Sequence, residues 1–233
     1  MSSISDFDDA EAALWQSEAT GRMNRMYRWQ RYIYDATRRY YLLGRDEMID
    51  RIQPTAGAIV LEVGCGTGRN LVQAARRYPA ARFYGIDVST EMLTTAIAAT
   101  ERHRLNGQIR VAHGDATSFD PAALFGVAAF DHVMISYSLS MIPDWHAVLD
   151  QAVLRLKPGG QLHIVDFGHQ ERLPRIARAA LLRWLALFDV TPRRSLQDVL
   201  KALAAKAGAR LAFERPYRGY AQSAVLTLPN RPD

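Results

Sequence analysis

Cysteine is nearly missing from this 233-residue chain: Cys65 stands alone, which excludes an internal disulfide and any cysteine-rich metal site. Lysine is almost as scarce, with three residues, so the net charge of +5 is carried almost wholly by guanidinium groups. Arginine suits forked recognition of phosphate or carboxylate better than lysine does. No uninterrupted apolar run approaches the ~20 residues that a membrane-spanning helix needs. The first twenty residues are acidic and polar, unlike a signal peptide, so a cytoplasmic protein is expected. Internal repeats and low-complexity linkers are lacking too. What remains is 48% apolar and 23% charged residues, the composition of one well-buried globular domain.

The order of elements points to an α/β fold. A basic, aromatic helical segment runs to about Leu43, is closed by Gly44, and is followed by a short helix, "RDEMIDRIQ", that stops at Pro54. From there strands and helices alternate. "AIVLEVG", "RFYGIDVS", "QIRVAHGD", "FDHVMISYSLS" and "QLHIVDF" read as strands, the last entered through a "KPGG" turn. Helical patterns separate them, which predicts a parallel sheet with crossover helices. Two further helices, near 174–188 and 195–207, precede "ARLAFERPY" and "SAVLTLP", expected as an antiparallel pair at the sheet edge. The expectation is a doubly wound, Rossmann-like seven-stranded sheet, mostly parallel with an antiparallel C-terminal strand. Residues 1–54 form a helical lid or substrate segment, and 55–233 the main domain.

The strongest local signal is "LEVGCGTGRN", Leu61–Asn70, between the first strand and the first crossover helix. Gly64, Gly66 and Gly68 allow a tight turn and close approach of a ligand to the backbone. A dinucleotide fingerprint would need glycine where Arg69 stands, so the spacing argues against a dinucleotide site. Asp87 closes the second strand, where a carboxylate can accept hydrogen bonds from both ribose hydroxyls of an adenosine. Asp115 ends the third strand and can meet an adenine amino group, while Glu62 can orient the loop or meet an ammonium. One such carboxylate is more often a helix cap. Three at successive strand ends of one sheet point to a nucleoside ligand.

This constellation resembles the class I S-adenosylmethionine-dependent methyltransferases. The likeness runs from about Ile59 to Phe167 and includes "LEVGCGTG", "GIDVSTEML", "GDAT", "FDHVMISYSLSMIPDW" and "VLRLKPGGQLHIVDF", in that family's order. It implies S-adenosylmethionine as cofactor, S-adenosylhomocysteine as product, and no metal. It further implies that Glu62, Gly64, Cys65 and Gly66 line the methionine part and that Asp87 holds the ribose. Val88 and Met92 would flank the adenine, Asp115 and Ala116 would reach its amino edge, and Ser136 would lie beneath the sulfonium. Cys65 itself is a small filler of the turn rather than a nucleophile.

The acceptor has to come from elsewhere, because fold and cofactor do not determine it. Between Gly21 and Asp46 stand seven arginines against two aspartates. As a helix, Trp29, Ile33, Ala36, Tyr40 and Leu43 share one face, and Tyr27, Arg31, Tyr34, Arg38 and Tyr41 share the opposite one. The first face is fit to pack; the second offers hydroxyls and guanidinium groups to a pocket. The stretch "YRWQRYIYDATRRYYLLGRD" resembles the N-terminal signature of bacterial betaine-lipid N-methyltransferases, which methylate diacylglyceryl-homoserine. That likeness implies Tyr34 and Arg45 as cofactor-site residues, with Arg45 a candidate ligand of the methionine carboxylate. As catalytic residues, Tyr34 and Tyr137 would orient an acceptor amine through hydrogen bonds or ring faces. Tyr27, Arg31, Arg38 and Tyr41 would bind the acceptor.

A lipid acceptor calls for membrane access. "RLPRIARAALLRWLALFDV", Arg172–Val190, reads as a basic amphipathic helix suited to an anionic bilayer surface, or as a core helix covering the sheet. The partner expected is therefore a lipid at the inner face of the membrane, a homo-oligomer staying open. Phosphatidylethanolamine, a quinone or another small molecule are alternative acceptors. Arginines alternating with tyrosines also suit RNA, but no appended RNA-binding domain is visible and no stable nucleic-acid partner is expected.

Overall fold

The computed structural model describes residues 42–187 and 190–230. The compact unit that carries the sheet begins at Leu43. Its first element, helix α1 (Arg45–Ile52), ends where Gln53 turns left-handed just before Pro54. Helix α1 belongs to the sheet-bearing unit, and residues 1–41 of the expected 1–54 segment lie outside the described residues.

Alternation then proceeds as the apolar pattern dictates: β1 (Ile59–Val63), α2 (Arg69–Arg77), β2 (Arg82–Asp87), α3 (Thr90–Arg102) and β3 (Ile109–His113). A short helix missing from the sequence reading follows, α4 (Pro121–Phe125), with Asp120 as its N-cap and proline in its first turn. Next come β4 (Phe130–Ser136), α5 (Trp145–Leu154), β5 (Leu156–Phe167), α6 (Arg175–Ala186), α7 (Leu196–Ala207), β6 (Arg210–Glu214) and β7 (Ala221–Thr227). The strands form one sheet in the order β3-β2-β1-β4-β5-β7-β6. β7 runs antiparallel to both β5 and β6, and every other pairing is parallel.

The last two strands pair antiparallel at the sheet edge, as expected, with β7 between β5 and β6 and β6 outermost. One reading needs correction. The "KPGG" segment does not precede β5 as a separate turn. It lies within it as an irregularity: Phe130 pairs with Leu156 but His132 with Gln161. Gly159 supplies the left-handed step there at φ +73°, and a Cβ at Gly160 would come within 2.8 Å of the Lys157 carbonyl.

The central strands are buried on both faces, which is why they read as continuous apolar runs. Val133, Ile135, Leu162 and Ile164 join Leu149, Leu196 and Leu200 in the core under α5 and α7. Met134 and Val165, on the alternate face, are equally buried, as are Met48, Ile49 and Ile52 of α1 and Leu71 of α2. Because β1 to β5 run parallel, their C-terminal ends emerge at the same edge of the sheet. Nucleoside ligands bind at that edge, where the strand order reverses between β1 and β4. Among the described residues no helix is long and apolar enough to cross a membrane.

Candidate functional site

β1 and β2 lie in parallel register, Val63 against Ile86, so the turn after β1 and the carboxylate closing β2 meet by construction. The N–H groups of Gly64 and Cys65 both donate to the Ile86 carbonyl at 2.9 Å. Gly66 donates to Asp87 Oδ2 at 2.8 Å, and the Ser89 N–H to Oδ1 at 2.9 Å. Asp87 is thereby fixed in orientation by two backbone donors, with acceptor capacity left on each oxygen. Gly64, Gly66 and Gly68 have φ of +71°, +52° and +73°, the left-handed region. A side chain is excluded twice over, since a Cβ at Gly64 would sit 2.7 Å from Ser138 Cβ and one at Gly68 2.9 Å from Ala96 Cβ. Cys65 turns its sulfur onto Gly85 of β2, and burial pushes its thiol pKa well up. The filler reading holds for its side chain, so only its backbone is left to line the turn.

Beneath the turn lies Glu62, 1% exposed. Asn70 donates to its Oε1 at 2.7 Å, while Oε2 has no hydrogen-bond partner. Burial pushes its carboxyl up to about 8, and Asn70, Arg45 and Arg69 only partly oppose this. An unpartnered buried carboxylate oxygen costs free energy unless a donor or cation meets it. Arg45, the buried first residue of α1, stands within electrostatic reach of both Glu62 and Tyr137. Asp46 of the same helix turn forms an ion pair with Arg69 at 2.9 Å, tying α1 to the start of α2.

Ser136 ends β4, with its Oγ buried and unpartnered. Tyr137 follows at φ +54°. Its hydroxyl donates to the Leu43 carbonyl at 2.6 Å, its ring meets Phe167 edge-on, and burial raises its pKa well above the usual phenol value. The O–H expected to serve catalysis is therefore engaged in pinning the entry to α1 at the end of β4. Val88 is 69% exposed, Met92 and Ala116 are half-buried, and the Met92 N–H is capped by Ser89 Oγ at 3.3 Å. Asp115 needs a small correction: β3 ends at His113, and Asp115 lies in the turn beyond it. The Thr117 N–H and hydroxyl both donate to Asp115 Oδ1, at 2.8 and 2.7 Å, and hold its carboxyl below the usual range. Tyr27, Arg31, Tyr34, Arg38 and Tyr41 lie outside the described residues.

Several residues at this edge escaped the sequence reading. Asn70 orients Glu62, and only its place eight residues on, in the first turn of α2, could have signalled it. Asp166, 1% exposed, accepts from the Ser140 and Phe167 N–H groups at 3.1 and 2.7 Å, and burial pushes it up to about 6. Arg193 donates to the carbonyls of Leu139 and Ile142 at 2.9 and 2.7 Å. Together they hold the loop after β4. His169 is buried, with Nε2 unpartnered and its pKa lowered by burial. Among the described residues no cluster of three or more His, Cys, Asp or Glu side chains could hold a metal ion.

The residues fit S-adenosylmethionine. The turn excludes side chains where backbone would meet the methionine part, and Glu62 Oε2 lacks the partner that an ammonium would supply. Asp87 is oriented for a ribose diol by donors that leave its outer lone pairs available.

Residues 60–160 match the family described as "Methyltransferase domain". The chain is 36% identical over 132 residues to the nocamycin O-methyltransferase of Saccharothrix syringae, covering 56% of this chain and 45% of that protein. It is 31% identical over 162 residues to an O-methyltransferase of Aspergillus nomiae, covering 70% of this chain and 68% of the relative. Against several such relatives the chain spans about half of their own length. Its fold matches an O-methyltransferase family protein from Burkholderia thailandensis with a TM-score of 0.65 at 17% identity, over 85% of this chain and 60% of that one. With the glycine turn, the acidic strand ends and the 3-2-1-4-5-7-6 sheet on the same edge, the chain belongs to the class I S-adenosylmethionine-dependent methyltransferases.

Proposed function

We propose that this chain transfers methyl groups from S-adenosylmethionine to the amine of a lipid head group, with diacylglyceryl-homoserine as the first acceptor to try. The observation that carries the cofactor half is the buried, unpartnered Glu62 Oε2 beneath the glycine turn, next to a doubly oriented Asp87. The acceptor half is supported by the arginine- and tyrosine-rich stretch that ends in "LLGRD". The last residues of that stretch, Leu43 to Asp46, lie at this same edge, through the Tyr137 bond to Leu43 and the Asp46–Arg69 pair.

The bound cofactor supplies a methyl group already activated on a sulfonium. The chain's own groups then position the reactants. Asp87 would accept from the ribose hydroxyls, Glu62 would meet the ammonium, Arg45 would meet the carboxylate, and Val88, Met92, Asp115 and Ala116 would frame the adenine. Alignment of a nucleophile with a bound reactant is worth roughly 7–11 kcal/mol. An α-amine titrates near ~8 in peptides, and a desolvated pocket lowers this further. A strong base is therefore unnecessary for an amine.

The test supplies S-adenosylmethionine with diacylglyceryl-homoserine, phosphatidylethanolamine and a soluble phenol in parallel, and reads products by mass. Gains of one, two and three methyls on the homoserine lipid are expected. No transfer to either lipid sinks the reading. The phenol arm covers a second reading, methylation of a small-molecule oxygen, favoured by the O-methyltransferase relatives and by His169. A hydroxyl acceptor needs a base, and His169 offers a lowered pKa and a buried Nε2 without a partner.

A further inference from the structure

Helix α6 stands out from the other long helices among the described residues. Six of the seven residues Arg175, Ile176, Ala179, Ala180, Arg183, Ala186 and Leu187 lie within it, one just beyond its end, and all seven are exposed. Leu185 alone of its large apolar side chains is fully buried, at 1% exposure. Ile176 is 86% exposed and Leu187 73%, two of the most exposed large apolar side chains among the described residues. At 100° per residue Ile176, Ala180, Arg183 and Leu187 fall on one outward stripe, opposite Leu185. Between Arg172 and Leu187 every polar side chain except Trp184 is an arginine, and there is no acidic residue at all.

A solvated helix face is normally covered by mixed charges and neutral polar groups. This one carries branched apolar side chains at both ends of a stripe flanked by guanidinium groups. We infer that the outward stripe of α6, Ile176 to Leu187 with Arg172, Arg175 and Arg183, docks on an anionic lipid surface. The apolar side chains enter the headgroup boundary, and the arginines meet lipid phosphates through forked hydrogen bonds.

Charge complementarity selects this occupant over the alternatives. In a two-fold contact between copies of the chain, the stripe would face itself, setting one cluster of arginines against another with no acidic residue on the helix to offset it. A nucleic acid would neutralise the arginines but leave Ile176 and Leu187 in water. An anionic bilayer satisfies both features at once. Inserting at this depth also requires no helix able to span the membrane, in keeping with the described helices. The inference does not depend on which acceptor is methylated.

The experiment is flotation of the full chain with vesicles of phosphatidylcholine alone and of phosphatidylcholine mixed with phosphatidylglycerol, in the absence of any acceptor. Wild-type protein is expected to float with the anionic vesicles, and to be released by salt. The double substitution Ile176→Glu, Leu187→Glu should lower partitioning more than about tenfold. Arg175→Gln and Arg183→Gln should each lower it about fivefold. Unchanged thermal melting and unchanged cofactor affinity by calorimetry confirm that the variants fold. Three outcomes overturn the inference: no flotation of wild type, equal flotation with neutral and anionic vesicles, or no loss in the double variant. So would size-exclusion profiles showing a dimer that the double variant dissolves. Because no acceptor is present, failure here leaves the methyl-transfer reading standing, and failure of methyl transfer leaves flotation unaffected.

Discussion

The turn after β1 and the segment after β5 emerge at the same edge of one sheet, yet they are built on opposite terms. In the turn, the chemistry is in the backbone: three left-handed glycines, the Gly66 N–H aimed at Asp87, and a Cβ excluded by Ser138 and by Ala96. From the last residues of β5 onward the chemistry is in side chains: Asp166, His169 and the exposed arginines and Ile176 of α6. A backbone site admits few sequences and serves one ligand. A side-chain surface can be rewritten position by position, which is how one fold keeps its cofactor while its acceptors vary.

The largest effect that could break this contrast is at Asp87. Asp87→Ala strips the Gly66 N–H of its partner and removes the proposed acceptor of both ribose hydroxyls. Charged hydrogen bonds are worth about 1.5–3 kcal/mol each, so affinity for S-adenosylhomocysteine by calorimetry should fall at least about 100-fold. A loss under tenfold would mean that the cofactor is not held there.

Next comes the glycine turn itself. Gly64→Ala places a Cβ 2.7 Å from Ser138 at φ +71°. Strain and overpacking together should cost about 2–4 kcal/mol in urea unfolding. Gly57→Ala, at φ +81° with nothing within 4 Å, should cost only the strain of about 1 kcal/mol. Equal costs at the two positions would show that close packing at Gly64 is unimportant.

Acidity separates the same regions from the scaffold. Glu62 is raised to about 8, so the cofactor-free fold is favoured by its protonation. That contribution is complete below the unfolded value near 4.5 and disappears as pH rises through about 8. Glu62→Gln should therefore stabilise the cofactor-free protein above pH 8, by about 2–4 kcal/mol, while weakening cofactor binding. His163 behaves oppositely. It lies against His132 at 3.4 Å, and burial lowers its pKa to about 3. Its contribution is present above the unfolded value near 6.5 and disappears as pH falls toward 3. His163→Leu should flatten the acid limb of a stability–pH curve; an unaltered limb would remove the pair from the account. The smallest effect is expected on α6, where Ile176→Glu should move stability by less than about 0.5 kcal/mol.

How much of this was legible can be followed residue by residue. Asp87 and the glycines were readable because the turn's requirements act over a few adjacent positions. Asp115 was readable in kind but placed at the strand end instead of in the turn after it, since strand boundaries depend on pairing with β2. Asp166, Arg193, the histidine pair and the engagement of the Tyr137 hydroxyl were not readable. Each depends on a partner far along the chain that only the sheet order brings near.

By itself, then, the sequence determined the alternating α/β order, the left-handed turn and the acidic strand ends, because local backbone sterics and hydrophobic periodicity are properties of neighbouring residues. Tertiary structure alone decided that β7 inserts between β5 and β6, that Glu62 is buried with one oxygen unpartnered, and that Ile176 faces outward. Burial and desolvation arise only when distant segments pack, and no stretch of sequence carries them on its own.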